Sequence, residues 1–468
     1  MQLTLSRRFW GLTFSLILSL LTTACVGKKQ ERPSGPIQVK IPLLTDGTYQ
    51  FQVVDLLSVD DLVELKGWAA RFLISPNQEG NKLLGYSPKI RTVKNAAGVY
   101  IATDELSLQL LTVYYHLENL GLMDELVGAK DINSWPRTVA VNVNYISKDG
   151  NGNRTENNAL YSGELDALLF VPYTESSLPM MVNGGIIGHE HFHSLFQKLF
   201  IKPLGSKYPG SVSSPHSEKE NEMKVAFGLA AGILVPETQP RTALETNPKS
   251  DQQLPNAPNA NAPTDSVESE TRGKKDLRAD TFATQNIVAV DDYHSYLLRG
   301  LNEGLADFWG WLYSSDTDFV GQSLPGYSAK RKLEGTEALP SEYCFSVSLT
   351  YDTQHDKEFP GPVAKAYRYG SSVARNLKAF ALDFQKKRGL NRDQLRAQLG
   401  SAVLRSVVGL KEAYLNLATD ESGKQSKTLA PNQFFEILST QLENLSTEEV
   451  ATLKPPVDSN KKVRILCN

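Results

Sequence analysis

The chain has 468 residues, with 49 Lys and Arg against 52 Asp and Glu, so its formal net charge is only -3. This mildly acidic balance, without a notable basic run, argues against a nucleic-acid-binding protein. The length exceeds that of a typical single domain, so we expect two domains with additional segments.

A positively charged and then apolar N-terminus predicts a secretory signal at residues 1–24. Arg7 and Arg8 precede an apolar run over 9–21 that is too short for a transmembrane helix. The following Leu-Thr-Thr-Ala-Cys resembles the bacterial lipobox, in which the cysteine is lipidated and becomes the mature N-terminus. This implies that Cys25 anchors the protein on the extracytoplasmic side of a bacterial envelope, at the outer membrane or cell surface. An ordinary cleaved signal with a coincidental cysteine is the alternative. Residues 25–38 are expected to form a polar tether.

Residues 39–202 are expected to form an N-terminal lobe of strands and helices. Alternating polar and apolar residues predict strands at 37–54, 98–102, 138–146, 158–161 and 165–171. Ser58 followed by Asp61 predicts the start of a helix that continues to about Phe72. A second helix, capped by Thr103, is predicted over 104–120. Its apolar stripe favours a core role for His116 over a role as a metal ligand. A third helix should begin near Pro179 and run to about Phe200.

The segment 203–286 differs in composition from both of its flanks. No Phe, Tyr or Trp lies between Phe227 and Phe282, and such a composition cannot bury enough apolar surface to offset chain entropy, so the part 236–281 at least is expected to be disordered. We therefore predict a largely disordered insert followed by a mainly helical C-terminal lobe, 287–468. In that lobe helices are predicted at 293–313, 364–384, 392–418 and 431–445. Cys344 and Cys467 can form a disulfide in an oxidising compartment, and two free buried thiols are the alternative.

The chemistry is expected at Gly188-His189-Glu190-His191-Phe192-His193, which contains His-Glu-x-x-His. Residues four apart lie on one face of a helix, so His189 and His193 can point at one metal ion while Glu190 reaches a water molecule beside it. With 7 His and 52 acidic residues in the chain, this pattern is expected by chance only about 0.01 times. His191 is two positions from either ligand and is expected to face away.

A third ligand is expected from a neighbouring helix, because two imidazoles leave a zinc site one protein ligand short. Glu303 is the best candidate, and Asp307 lies one turn further on the same face, where it can orient a ligand imidazole. The alternative is that Glu303 is a surface acid paired with Arg299. His294 lies about half a turn away from Glu303 and is not expected to be a ligand.

His-Glu-x-x-His followed by Asn-Glu-x-x-x-Asp-x-x-Gly resembles the thermolysin-like zinc metallopeptidases, within the group that uses a glutamate as third ligand. The resemblance covers roughly residues 98–315. It implies an α+β, zincin-like fold with a cleft between a β-rich lobe carrying the active-site helix and a helical lobe. It also implies zinc held by His189, His193 and Glu303, with Glu190 as general base. Asp307 is then the orienting residue.

The resemblance extends to substrate binding. Asn158-Ala159-Leu-Tyr is similar to the edge strand that holds the substrate backbone in that family, which favours an endopeptidase acting on a peptide or protein. The two metal motifs are closer in sequence in that family; here the insert accounts for most of their separation. The later His-containing motif of the family has no clear match, so Tyr367 and His355 are the candidates for stabilising the oxyanion.

Two other functions are compatible with these patterns. The first is a non-catalytic envelope lipoprotein that uses the metallopeptidase scaffold for binding; the presence of Glu190 argues against it. The second is an aminopeptidase-like exopeptidase, although no Gly-x-Met-Glu-Asn segment is present. The insert could also act as a regulatory lid or a self-inhibitory segment that is cut during maturation.

Overall fold

A computed structural model describes residues 36–79, 82–143, 156–209, 290–342, 345, 362–419 and 426–456. These residues form a mixed α+β structure in which the N-terminal region is rich in strands and the C-terminal region is helical. The predicted signal, most of the insert, Cys25, Cys344, Cys467 and His355 lie outside the described residues. No helix in the described part of the chain is long and apolar enough to cross a membrane.

Eleven strands in the described ranges form three sheets. Four strands pair in the order β2-β1-β8-β7, five in the order β10-β11-β9-β5-β6, and β3 pairs with β4. Strand β9 pairs in parallel with both β5 and β11, while β10 is antiparallel to β11 and is an edge of its sheet. The strands are β1 Ile37–Thr45, β2 Thr48–Leu56, β3 Val59–Asp61, β4 Lys66–Gly67, β5 Ala70–Glu79, β6 Lys82–Tyr86, β7 Thr92–Lys94, β8 Tyr100–Ala102, β9 Arg137–Val141, β10 Ala159–Ser162 and β11 Ala167–Phe170.

The helices carry the candidate site and most of the C-terminal core. They are α1 Glu105–Val127, α2 Gly184–Phe196, α3 Val290–Ser314, α4 Phe319–Ser323, α5 Ser328–Arg331, α6 Pro362–Arg388, α7 Arg392–Leu395, α8 Ser401–Leu415, α9 Gln433–Gln441 and α10 Thr447–Leu453. A π-helical turn at Gln197–Ile201 and a single α-helical turn at Lys202–Leu204 continue α2, and another π-helical turn at Arg396–Gly400 joins α7 to α8. One hydrophobic cluster of buried residues includes side chains from β1 through α10, so the two regions share a core.

The prediction of a helix after Ser58 is wrong. The chain there forms β3, β4 and the start of β5. Asp61 Oδ1 accepts hydrogen bonds from the backbone N–H groups of Val63 and Glu64, at 2.8 and 3.1 Å, which favours a turn over a helix. Ser58 is not a cap: its hydroxyl contacts Tyr114 Oη at 3.0 Å and Glu118 on α1.

Most of the other predicted elements are present with changed ends. The second predicted helix, α1, extends to Val127, and its N-cap is Asp104 rather than Thr103, because the Asp104 side chain accepts from Ser107 N. Strand β9 is shorter than predicted and ends at Val141. α10 was not predicted, although Ser446 and Glu449 form a capping box at its start.

Helix α3 lies in the centre of the helical packing and approaches two other helices closely. A Cβ atom added at Gly310 would lie 2.5 Å from the carbonyl oxygen of Gly185 on α2. A Cβ at Gly304 would lie 2.2 Å from the carbonyl oxygen of Gly370 on α6. Glycine at these two positions therefore lets the backbones of α2 and α6 pack directly on α3, which places the acidic residues of α3 beside the histidines of α2.

Candidate metal centre

Helix α2 is fixed at its N-terminus by Asn183. The Asn183 Oδ1 atom accepts hydrogen bonds from Gly185 N and Ile186 N, which satisfies two of the free N–H groups of the first turn. The amide Nδ2 donates to the carbonyl oxygen of Phe319 at 2.6 Å and contacts Ser323 Oγ at 2.9 Å. The start of α2 is thus tied to α4, and the direction of its histidine face is set.

Three residues of the His-Glu-x-x-His motif, the two candidate metal ligands and the candidate general base, are buried together. His189, Glu190 and His193 have exposed fractions of 0%, 0% and 1%, and their potential ligand atoms lie within 4.8 Å of one another. His189 Nε2 and His193 Nε2 are 2.9 Å apart. The motif therefore presents two imidazole nitrogens to one point.

Helix α3 brings Glu303 to the same point. One carboxylate oxygen of Glu303 is 3.7 Å from His189 Nε2, and the other is 3.9 Å from His193 Nε2. Glu303 is only 2% exposed, which contradicts the alternative that it is a surface acid. The Oε2 atom of Glu303 and the Oε1 atom of Glu190 have no hydrogen-bond partner among the described residues.

The other nitrogen of each imidazole faces a polar side chain of α3. His189 Nδ1 lies 2.9 Å from Asp307 Oδ1, in the place expected for an orienting residue. His193 Nδ1 lies 3.1 Å from Asn302 Oδ1. Since an oxygen acceptor at Nδ1 favours the tautomer with its proton there, both Nε2 atoms are left with free lone pairs.

Arg331 at the end of α5 is a member of this cluster that the sequence did not indicate. It is 6% exposed, and its guanidinium group donates to both oxygens of Asp307, at 3.1 Å from Nε and 2.5 Å from Nη2. Its Nη2 also lies 3.6 Å from Glu303 Oε2. In the sequence Arg331 stands between Lys330 and Lys332, a pattern typical of a solvated surface, so no local signal distinguished it.

The electrostatics of the cluster suit a cation. Burial, followed by the nearby Glu303 carboxylate, raises the pKa of Glu190 well above its usual range. Burial also raises the pKa of Glu303, although His189 and Arg331 oppose this. Burial and the adjacent His189 lower the pKa of His193, so its imidazole is neutral. Imidazole nitrogens and buried carboxylate oxygens that lack a hydrogen-bond partner are the kind of donor set that binds a divalent metal ion.

Strand β10 meets α2 at Glu190. The backbone N–H of Tyr161 donates to Glu190 Oε2 at 2.8 Å. The carbonyl oxygen of Asn158 accepts from Val171 N, on the β11 side. Because backbone groups alternate along a strand, those of Ala159 face the outer edge, the same edge as Tyr161 N–H. Asn158 Oδ1 is buried and has no hydrogen-bond partner among the described residues.

Tyr367 on α6 also belongs to this region. The guanidinium carbons of Arg299 and Arg331 each lie 5.5 Å from the centre of its ring. Burial, followed by the Glu303 carboxylate, raises the pKa of Tyr367 to about 12, so the phenol keeps its proton and can donate it. The other candidate for this role, His355, lies outside the described residues.

The remaining described histidines lie outside the cluster, as expected. His191 Nε2 contacts Asp124 Oδ1 at 2.9 Å, on the other side of α2. His294 Nε2 accepts from Leu429 N at 3.0 Å. His116 Nδ1 contacts Tyr313 Oη at 2.8 Å.

Comparison with known proteins gives no family. No family model matches the chain, and no curated protein matches it.

Proposed function

We propose that the protein is a zinc-dependent endopeptidase of the thermolysin-like, zincin type that hydrolyses peptide bonds in peptides or proteins. The observation that carries the proposal is the buried convergence of His189, His193 and Glu303 with Glu190, from two helices that are far apart in the sequence. Asp307 and Asn302 behind the two imidazoles add the orienting partners that such sites need.

The three donor residues fit zinc in kind and in spacing. Ligand atoms about 2.0–2.1 Å from zinc at tetrahedral angles lie about 3.3 Å from one another. The separations here, 2.9, 3.7 and 3.9 Å, lie on both sides of that value. Zinc bound by His189, His193 and Glu303 would supply a Lewis acid that polarises the scissile carbonyl and activates water.

Glu190 is the general base in this proposal. Its Oε2 is held by Tyr161 N–H, whereas its Oε1 is free to accept a proton from water and to pass it to the leaving amine. Tyr367 donates a hydrogen bond to the oxyanion that forms on the substrate carbonyl. The outer edge of β10, at Ala159, pairs with the extended substrate backbone, and the Asn158 amide adds a hydrogen bond.

The proposal is tested with Glu190→Gln, which preserves shape and removes the base. We expect both forms of the full chain to bind one zinc ion, measured by metal analysis after dialysis. The wild type should cleave unfolded protein, and the cleavage rate of the variant should be lower by at least about 100-fold. Glu164→Gln, an acid with no place in the cluster, is the matched control. Zinc binding without cleavage by the wild type would favour the binding lipoprotein. Products released one residue at a time from the N-terminus would favour the exopeptidase.

We further propose that the protein acts at the bacterial envelope through a lipid on Cys25. The support is the signal-like pattern of residues 1–24 and the lipobox-like sequence before Cys25. Metabolic labelling with a palmitate analogue is expected to mark the wild type and not Cys25→Ser. Equal labelling of both forms would contradict the proposal.

A further inference from the structure

A second concave site lies at the beginning of α2, away from the metal cluster. It is a pocket of about 540 Å³ between the β1–β2 hairpin, α1, the start of α2 and the end of α3. This volume lies in the range of small-molecule sites, about 300–1,000 Å³. The pocket reaches α2 at Gly184, five residues or about 7.5 Å along the axis before His189, so it is not part of the proposed catalytic site.

The pocket exposes apolar and polar surface in nearly equal amounts and has no free charge among its described residues. Its apolar lining includes Leu43, Leu44, Leu122, Met123 and Leu126. The two charged residues that line it, Asp393 and Arg396, are paired at 3.1 Å. Arg396 also donates to the carbonyl oxygens of Leu312 and Tyr313. Nothing in this lining favours a charged ligand.

One buried polar atom at the pocket has no partner. His116 is 7% exposed and lines the pocket, and its Nε2 has no hydrogen-bond partner among the described residues. A Cβ atom at Gly184 would lie 2.6 Å from Cε1 of this ring, so glycine at the start of α2 is what leaves room for the imidazole. An unsatisfied buried polar atom destabilises the protein, and a bound ligand that pairs with it can remove that cost.

The contacts of Tyr313 determine what His116 Nε2 can bind. The Tyr313 hydroxyl donates to the His116 carbonyl oxygen at 3.3 Å and lies 2.8 Å from His116 Nδ1. A hydroxyl has one proton, so both contacts are hydrogen bonds only when Nδ1 carries a proton and donates it to the tyrosine oxygen. Burial lowers the pKa of His116 to about 3, so the ring is neutral and Nε2 keeps its lone pair.

We propose that this pocket binds a small, neutral, partly apolar molecule whose hydroxyl group donates a hydrogen bond to His116 Nε2. The apolar lining takes the body of the ligand, and the three tyrosine rings at the pocket, Tyr49, Tyr115 and Tyr313, suit an aromatic or alkyl group. The hydroxyl supplies the hydrogen-bond donor that no described residue offers to His116 Nε2.

The test compares 4-butylphenol with its methyl ether, which has the same shape and no donor. Titration calorimetry on the full-length protein at pH 7 is expected to give one site for the phenol and at least tenfold weaker binding of the ether. In His116→Phe the two affinities should become equal. Equal affinities in the wild type, or no binding of the phenol up to its solubility limit, would overturn the proposal.

A pair of surface variants locates the site independently of His116. Leu126 is 42% exposed and lines the pocket, so Leu126→Trp should fill the pocket and abolish binding of both probes. Leu382 on α6 is 45% exposed and does not line it, so Leu382→Trp should bind as the wild type does. Binding that survives Leu126→Trp, in a variant with an unchanged melting temperature, would contradict this location.

Discussion

At the residue scale, Asp307 connects two parts of the candidate site. One carboxylate meets both the His189 imidazole and the Arg331 guanidinium, and all three groups are buried. The pKa of Asp307 lies below its usual range because Arg331 and His189 outweigh the effect of burial. Asp307 is therefore ionised, which would make His189 Nε2 a better ligand for the proposed metal ion by holding the proton on Nδ1.

Replacing Asp307 with Asn should weaken metal binding without removing a ligand. The amide keeps the size of the carboxylate but loses the charge that favours His189 and that pairs with Arg331. We expect zinc affinity to fall about 10–100-fold, measured by competition with a chromogenic chelator. Asp383→Asn is the matched control: it removes a partly exposed acid that is paired with Lys387 on α6, and the zinc affinity should stay unchanged. An unaltered affinity in Asp307→Asn would show that Asp307 does not support His189.

The residues of the site were predictable from the sequence only where helix geometry relates them. His189 and His193, and likewise Glu303 and Asp307, are four residues apart, so the 3.6-residue period places each pair on one face. Arg331 and Tyr161 N–H reach the site through the tertiary fold, and no local spacing relates them to α2. The same limit explains the wrong helix after Ser58, because the contacts of that residue with Tyr114 and Glu118 are set by α1.

At the element scale, the position of Glu303, the proposed third metal ligand, depends on how closely α3 packs against α2. Gly310 allows this approach: a Cβ there would meet the Gly185 carbonyl oxygen at 2.5 Å and the Phe319 ring at 2.9 Å. Backbone atoms cannot move away as a flexible side chain can, so an added methyl group must push the helices apart. The distances from the Glu303 carboxylate to the imidazoles of His189 and His193 would then increase.

Gly310→Ala should therefore lower both stability and metal affinity. We expect the free energy of unfolding to fall by about 1–3 kcal/mol, the range for overpacked interiors, in urea unfolding of the metal-free protein. Gly326→Ala is the matched control: a Cβ at Gly326 meets no atom within 4 Å, and the change should stay within about 0.5 kcal/mol. Equal stability of the two variants would mean that α2 and α3 are not held at this distance.

At the scale of the whole molecule, buried neutral histidines connect distant parts of the shared core. His294 on α3 accepts a hydrogen bond from Leu429 N, before α9, and its ring lies against Tyr293 and Tyr414. Burial lowers the pKa of His294 to about 4, because a charged imidazole there would lose its solvation. The unfolded chain has no such restriction, and its histidine titrates near the usual value of about 6.5.

This difference predicts a loss of stability in acid that His294→Gln should remove. Above pH 6.5 neither state takes up a proton at His294; between about 6.5 and 4 only the unfolded state does, so the free energy of unfolding falls as pH falls. The stabilisation lost over that window is about 3 kcal/mol.

The His294→Gln variant isolates this effect, because a glutamine Oε1 can still accept a hydrogen bond from Leu429 N but does not titrate. The stability of the wild type minus that of the variant, from urea unfolding, should be constant between pH 7 and 8 and decrease by that amount down to pH 4. A difference that stays constant down to pH 4 would mean that His294 is protonated equally easily in both states.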